Sequence, residues 1–374
     1  MADDVTPQAG ERIDALAGRW RERAARTART GTLPAETLEE LFDAGLLQLA
    51  AAERYGGLGA AWPVLADAAR RAARACPSTG WTVGVVGAHA GVASRFPDAA
   101  AGALFADGPR QLFATASVTA NGVVERVEGG FRIDGEWRFC SGIDHASWVI
   151  VNGACANAPE EGRLLLPVPA DRVRVSDTWH VTGMSGTGSR SAVLDDVLVP
   201  EKSVAPLGAC FGERWTGRAG EDGYLLEVPF TDYVNSVVIG PILGCAEGAY
   251  REYAASARAS GRADQPAVQM GLAESAAELA CAGHLYDAVA ATLHAAGTER
   301  RALSPKEAGT VRRDRAYLAR LCVDAVQRLV ALAGTAAHSE DAVLSRHWRD
   351  LQMMAAHRDV SWAANYPAFA AVDA

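Results

Sequence analysis

His357 is the residue in this 374-residue chain whose chemistry is easiest to name. An imidazole titrates near neutrality, so at pH 7 it can take a proton from a phenol and return it later. Arg349, Met353 and His357 recur every four residues, which predicts one face of a helix. A buried histidine with only a structural part is the competing reading. His89 follows Trp81 by eight residues in an apolar stretch, and the pair could line one pocket or equally fill a core. Gly186-Thr187-Gly188-Ser189 offers hydroxyls and open backbone to a phosphate or a ring carbonyl. An ordinary glycine-rich strand connection looks the same.

Several chemistries are disfavoured. No strand-to-helix turn carries G-x-G-x-x-G, so a nicotinamide site has no support. The seven cysteines are scattered without a C-x-x-C pair, which reads as reduced thiols in a cytoplasm. The eight histidines lack H-x-x-x-H or H-E-x-x-H spacing, so no metal is expected. A net charge of −9 argues against nucleic acid or an anionic membrane as partner. Ser236 to Ala246 is the nearest approach to a membrane span and is too short. The acidic, polar start shows no secretory signal.

These side chains must be positioned by elements of two kinds. Ile13, Leu16, Ala17 and Trp20 repeat at helical spacing, and Leu38, Leu41 and Phe42 do so again, with Gly45 placed to end that helix. After the glycine-rich loop at Tyr55-Gly56-Gly57-Leu58-Gly59, a helix is expected over Trp62 to Ala75. A second is expected beyond the Cys76-Pro77-Ser78 break, through Trp81 to Ala93. From Phe113 the pattern turns to strands. Val123 to Trp137 reads as a hairpin about Gly129-Gly130, followed by Trp148–Asn152, Arg163–Val168, Arg172–Ser176 and Ser191–Val199. Helix returns near Tyr224, and Leu318, Leu321, Cys322, Ala325, Leu329 and Leu332 mark one apolar face. Helices this apolar predict a bundle that buries a face on a sister subunit, in a homodimer or homotetramer.

Against this background four motifs stand in one order. They are Ala44-Gly45-Leu46 through Tyr55-Gly56-Gly57; Pro77-Ser78-Thr79-Gly80-Trp81 with His89; Gly135-Glu136-Trp137-Arg138-Phe139-Cys140-Ser141-Gly142 with Asp144-His145; and Asp177-Thr178-Trp179-His180 through Pro200. Together they resemble the acyl-CoA dehydrogenases and the flavin-dependent monooxygenases built on the same fold. Arg349-Asp350 matches the pair that opens the dehydrogenases' C-terminal helix, which closes on Tyr-Glu. The same count here reaches His357-Arg358. Arginine thus replaces the proton-abstracting glutamate, and a cation cannot accept that proton. The histidine beside it is the pattern of the aromatic hydroxylase branch.

The resemblance implies an α+β, mostly α chain. Its parts would be an N-terminal helical domain (1–112), a middle β-barrel or sandwich domain (113–222) and a C-terminal antiparallel four-helix bundle (223–374). It also implies a two-component oxygenase that takes reduced FMN or FAD from a separate flavin reductase, reacts it with O2 to a C4a-hydroperoxide, and hydroxylates an aromatic or phenolic small molecule. Ser141 would stand at the flavin ring edge. Trp81, Cys140, Thr187, Gly188 and Ser189 would bind the cofactor, and Arg258 and Thr335 would contact flavin across a subunit boundary. His357 would deprotonate or orient the substrate, with His89 shaping the pocket.

Two other activities fit the fold. An N-oxygenase of a nucleotide-linked amino sugar would want a cationic diphosphate site, for which Arg214, Arg218 and Arg262 are candidates. An acyl-CoA dehydrogenase would need a substitute base, and Asp232 is the nearest. A non-catalytic flavin-fold binding protein would consume no oxygen beyond that of free reduced flavin.

Overall fold

A computed structural model describes residues 2–119, 121–212 and 223–373. The first helices are α1 (Ala2–Thr30), α2 (Ala35–Asp43), α3 (Trp62–Ala75), α4 (Pro77–Trp81), α5 (Gly87–Ser94) and α6 (Asp98–Leu104). Gly45 has φ +71 just past the end of α2, the left-handed conformation that glycine adopts without steric cost. Cys76 is extended between α3 and α4, because the residue before a proline is pushed out of the helical region.

Among the described residues nine strands follow: β1 (Phe113–Ala116), β2 (Val118–Thr119), β3 (Val123–Val127), β4 (Gly130–Cys140), β5 (Trp148–Ala154), β6 (Arg163–Pro169), β7 (Arg174–Ser176), β8 (Arg190–Pro200) and β9 (Ala205–Pro206). They form two sheets, ordered β1-β5-β6-β9 and β2-β4-β8-β7, with β3 also paired to β4. Trp137, Ile133, Val149, Leu166 and Ala192 fill the space between the sheets. The β3–β4 hairpin closes at Val127↔Gly130 as its glycines predict. The expected strand start at Arg172 is two residues early, because Ala170–Arg172 forms a 3-10 turn first.

The last third holds α7 (Leu207–Phe211), α8 (Thr231–Ser236), α9 (Ile239–Ala259), α10 (Pro266–Thr298), α11 (Pro305–Ala333), α12 (Val343–Ala355) and α13 (Trp362–Asp373). Leu318, Cys322, Ala325 and Leu329 of α11 are buried. A capping box, Ser304 with Glu307, starts that helix. α9 is the link to the N-terminal helices. Gly240, Gly244 and Gly248 recur every four residues and face the Ala66, Arg70 and Arg74 carbonyls of α3, where a Cβ would come within 2.0–2.6 Å. That close approach is sealed by Glu247, which accepts from Arg70 Nη2 and from Arg74 Nε, each at 2.5 Å.

Candidate active site

A cleft of about 1000 Å³ opens between both sheets, the α4–α5 segment, α8 and the end of α12. Three irregularities in regular elements aim side chains into it. The first is a π turn, Thr82–Val86, between α4 and α5. In an unbroken α-helix eight residues leave two side chains out of phase; a π turn absorbs one residue and leaves about two α turns. Trp81 and His89 both reach the cleft as a result.

The second is a bulge in β4, where the pairing with β8 slips between Trp137 and Cys140. Phe139 sits there at φ +64, unusual for a bulky residue, and its ring turns out toward Trp179, 6.1 Å away edge to face. Alternation resumes with Cys140 inward. Contrary to the cofactor role expected for it, the Cys140 side chain lies in the inter-sheet core and is absent from the cleft wall. Burial pushes its thiol up to about 12.

The third is the end of α12. That helix stops at Ala355, so His357 is not on the helical face shared with Arg349 and Met353 as its spacing predicted. It is extended (φ −63, ψ 138) and starts the short turn Arg358–Val360. Leaving the helix swings the imidazole against the Trp81 indole, ring centres 5.6 Å apart. Nδ1 accepts from the Asp359 backbone N–H at 3.3 Å and lies 3.5 Å from the Asp359 carboxylate. Burial lowers the His357 pKa, with Arg315 and Arg358 adding to the fall and Asp359 opposing it. The imidazole is therefore neutral at pH 7 and able to accept a proton.

Beside it runs a row of hydroxyls. Trp81 Nε1 donates to Ser141 Oγ (3.2 Å); Ser141 pairs with Ser189 (2.8 Å), Ser189 with Thr187 (2.7 Å), and Thr187 donates to the Met184 carbonyl (2.8 Å). The indole can only donate and the carbonyl can only accept, so with all four bonds formed each hydroxyl proton must point toward Met184. Ser141 then turns a lone pair to the cleft. Met184 itself is left-handed (φ +56), and its N–H is held by Asp350 Oδ1 at 2.5 Å. Burial raises the Asp350 carboxyl to about 6. Gly188 is also left-handed (φ +54), and a Cβ there would strike the Asp144 carboxylate at 2.5 Å. Its requirement is one of backbone shape.

His89 is fully engaged. Its Nδ1 faces the Phe113 carbonyl at 2.8 Å and so carries the proton, and Nε2 accepts from the Thr115 hydroxyl at 2.9 Å. Burial lowers its pKa to about 4. Arg258 and Thr335 are exposed and do not line this cleft within one chain. Asp232 lies outside it as well, with both carboxylate oxygens bound by Arg312 at 2.9 and 3.2 Å. Arg358 does line the cleft, where the dehydrogenase reading would need a carboxylate. Arg262 is bound to Ser260 away from the cleft, and Arg214 and Arg218 lie outside the described residues. The sequence reading missed Thr115, Asn152, Arg163 and Asp359 in the lining. Period-2 alternation in β1, β5 and β6 was the available signal for the first three.

Cleft size, aromatic walls at Trp81, Trp179 and Phe139, and the hydroxyl row fit a flat heteroaromatic ring together with a second, smaller ring. Residues 13–97 match the family model for the acyl-CoA dehydrogenase N-terminal domain, and residues 236–362 that for the C-terminal domain. A pigment production hydroxylase of Rhodococcus sp. is 32% identical over 93% of this chain and 91% of that protein. The flavin-dependent monooxygenase oxygenase subunit HsaA of Mycobacterium tuberculosis is 30% identical over 95% of this chain and 91% of its own. The chain belongs to the flavin-dependent monooxygenases of the acyl-CoA dehydrogenase fold. A crystal structure of the M. tuberculosis HsaA monooxygenase superposes on it with a TM-score of 0.92, 26% identity and 98% coverage of both chains. XiaF from Streptomyces sp., in complex with FADH2 and glycerol, gives 0.90 at 26% identity, covering 99% of this chain and 95% of that one. As a flavin-dependent monooxygenase the enzyme uses a flavin and dioxygen.

Proposed function

We propose that this monooxygenase is the oxygenase component of a two-component system and hydroxylates a phenolic small molecule. The observation that carries this reading is the neutral, cleft-facing His357 beside Trp81. A phenolate is a far stronger nucleophile than a phenol, and an imidazole whose pKa lies below neutrality is free to take the phenolic proton. The names of the relatives, an oxygenase subunit and a hydroxylase, support a separate reductase that delivers reduced FMN or FAD, and an aromatic substrate.

When bound, the reduced flavin supplies the electrons and the site of oxygen activation. Trp81, Ser141, Thr187 and Ser189 would hold the ring edge, with Ser141 free to offer a lone pair to a ring N–H. Trp179 and Phe139 would supply an aromatic wall for the ring. His357 takes the substrate proton at Nε2 in the tautomer whose own proton is on Nδ1 facing the Asp359 carboxylate 3.5 Å away, for which the bond accepted from the Asp359 N–H is given up. His89 is a neutral wall that keeps Thr115 oriented. Val85, Val92, Ile150, Leu165 and Met353 exclude water, which would otherwise divert the oxygen to hydrogen peroxide. Arg258 and Thr335 are assigned to the flavin of a second subunit in a homodimer or homotetramer, and the chain is read as three domains divided at 112/113 and 222/223.

The test is to mix the protein anaerobically with reduced FMN or FAD and a panel of phenols, and then add 18O-labelled O2. Labelled hydroxyphenol is the expected product. Hydrogen peroxide alone across the whole panel would sink the phenol assignment.

A further inference from the structure

We infer that the cleft recognises a carboxylate carried by the substrate, through Arg163 fixed by Asn152. This rests on the phenol-hydroxylase reading and narrows it to acidic phenols.

Strands β1, β5 and β6 stand side by side and turn every second residue to the cleft. Near the middle of that face lie Thr115, Ile150 and Leu165; toward one end lie Ser117, Asn152 and Arg163. The intervening Val149, Val151, Leu164 and Leu166 fill the inter-sheet core. The polar end is a built arrangement. Asn152 is only 7% exposed; its amide Nδ2 donates to Ser117 Oγ at 2.9 Å and its Oδ1 accepts from Arg163 Nη2. One Nη2 hydrogen is therefore committed to Asn152, and the second Nη2 hydrogen remains, with the neighbouring Nε–H or Nη1–H, as a two-donor edge. No carboxylate of the described residues pairs with Arg163. A planar fork with free donors in a cleft matches the two oxygens of a carboxylate.

Charge points the same way. The chain carries −9, yet among the described residues the cleft lining holds Arg138, Arg163 and Arg358 and one carboxylate, Asp359, with Arg138 also 3.5 Å from Glu136 outside the lining. A cationic cleft in an acidic protein focuses anions toward itself. A flavin phosphate is the other source of an oxyanion. The hydroxyl row and Phe139 stand on or beside β4 and β8 of the five-stranded sheet, whereas Ser117 just past β1, Asn152 on β5 and Arg163 at the start of β6 belong with the four-stranded sheet. A ring held at Ser141 leaves Arg163 for the second molecule.

The experiment measures equilibrium binding of 3-(4-hydroxyphenyl)propionate and of its neutral amide to the FMN-loaded protein, by quenching of tryptophan fluorescence. FMN and riboflavin affinities are measured alongside. Wild type is expected to bind the acid about tenfold more tightly than the amide, the scale of one charge-assisted pair in a partly wet site. Arg163→Gln should erase that preference and Arg163→Lys should retain part of it, with melting temperatures and the FMN/riboflavin ratio unchanged. Equal binding of acid and amide to wild type would overturn the inference while leaving the phenol reading intact. Loss of FMN but not riboflavin affinity in Arg163→Gln would assign the oxyanion to the cofactor and overturn it too. Failure of both acid and amide to bind would count against the phenol reading itself.

Discussion

At the residue scale the assignment turns on one imidazole and one chain of hydroxyls. His357→Ala should lower hydroxylated product by about 10²-fold or more, the usual range for a lost acid–base group, while oxygen consumption persists as peroxide. Comparing product with peroxide by chromatography checks this, and full coupling in the variant would remove the role. Ser189→Ala deletes the middle of the hydroxyl row and strands the partners on each side. A loss of about 1–3 kcal/mol in flavin binding is expected, read as FMN affinity, with the fold kept. His357 was legible as a base from residue type and from its place beside Arg358. Its geometry was not, because periodicity cannot show that the helix stops two residues earlier.

Elements put these groups in reach by departing from regularity, and their packing is equally specific. α9 meets α3 through Gly244, where a Cβ would fall 2.0 Å from the Arg70 carbonyl oxygen. Backbone cannot yield as a flexible side chain does, so Gly244→Ala should cost about 1–3 kcal/mol by overpacking, seen as a lower melting temperature. An unchanged melt would mean that the two helices separate cheaply. The sequence pattern predicted α3 at Trp62–Ala75, as observed, and the β3–β4 hairpin, since both follow from local periodicity and turn residues. It predicted one apolar helix through Trp81 to Ala93, where a π turn interrupts the run. Nothing in Thr82-Val83-Gly84-Val85-Val86 announces that turn. Gly84, against Ala69 of the neighbouring α3, is its one spatial correlate.

For the whole molecule, burial of titratable groups sets the acid limit. His89 and His347 are depressed from 6.5 to about 4, so the unfolded chain binds more protons than the native one between those values. Stability is then lost as pH falls through that window, by roughly 3 kcal/mol for each histidine. Asp350 works the other way: raised from 3.8 to about 6, it favours the native state as pH falls and offsets roughly one histidine. A net loss of about 3 kcal/mol from pH 6.5 to 4 should appear in denaturant midpoints, and His347→Gln should flatten it. A flat wild-type profile would show that these histidines titrate normally. Sequence by itself determined the helix–strand–helix order, the family resemblance and the replacement of a carboxylate base by His357-Arg358, because these reside in local pattern and residue identity. Tertiary structure alone decided that Cys140 faces the core, that Thr187 and Ser189 join Ser141 in one proton-ordered row, and that Arg163 shares the cleft with His357. Those facts depend on a bulge, a slipped register and contacts between residues as far apart in the chain as Trp81 and His357. No periodicity along the chain encodes them.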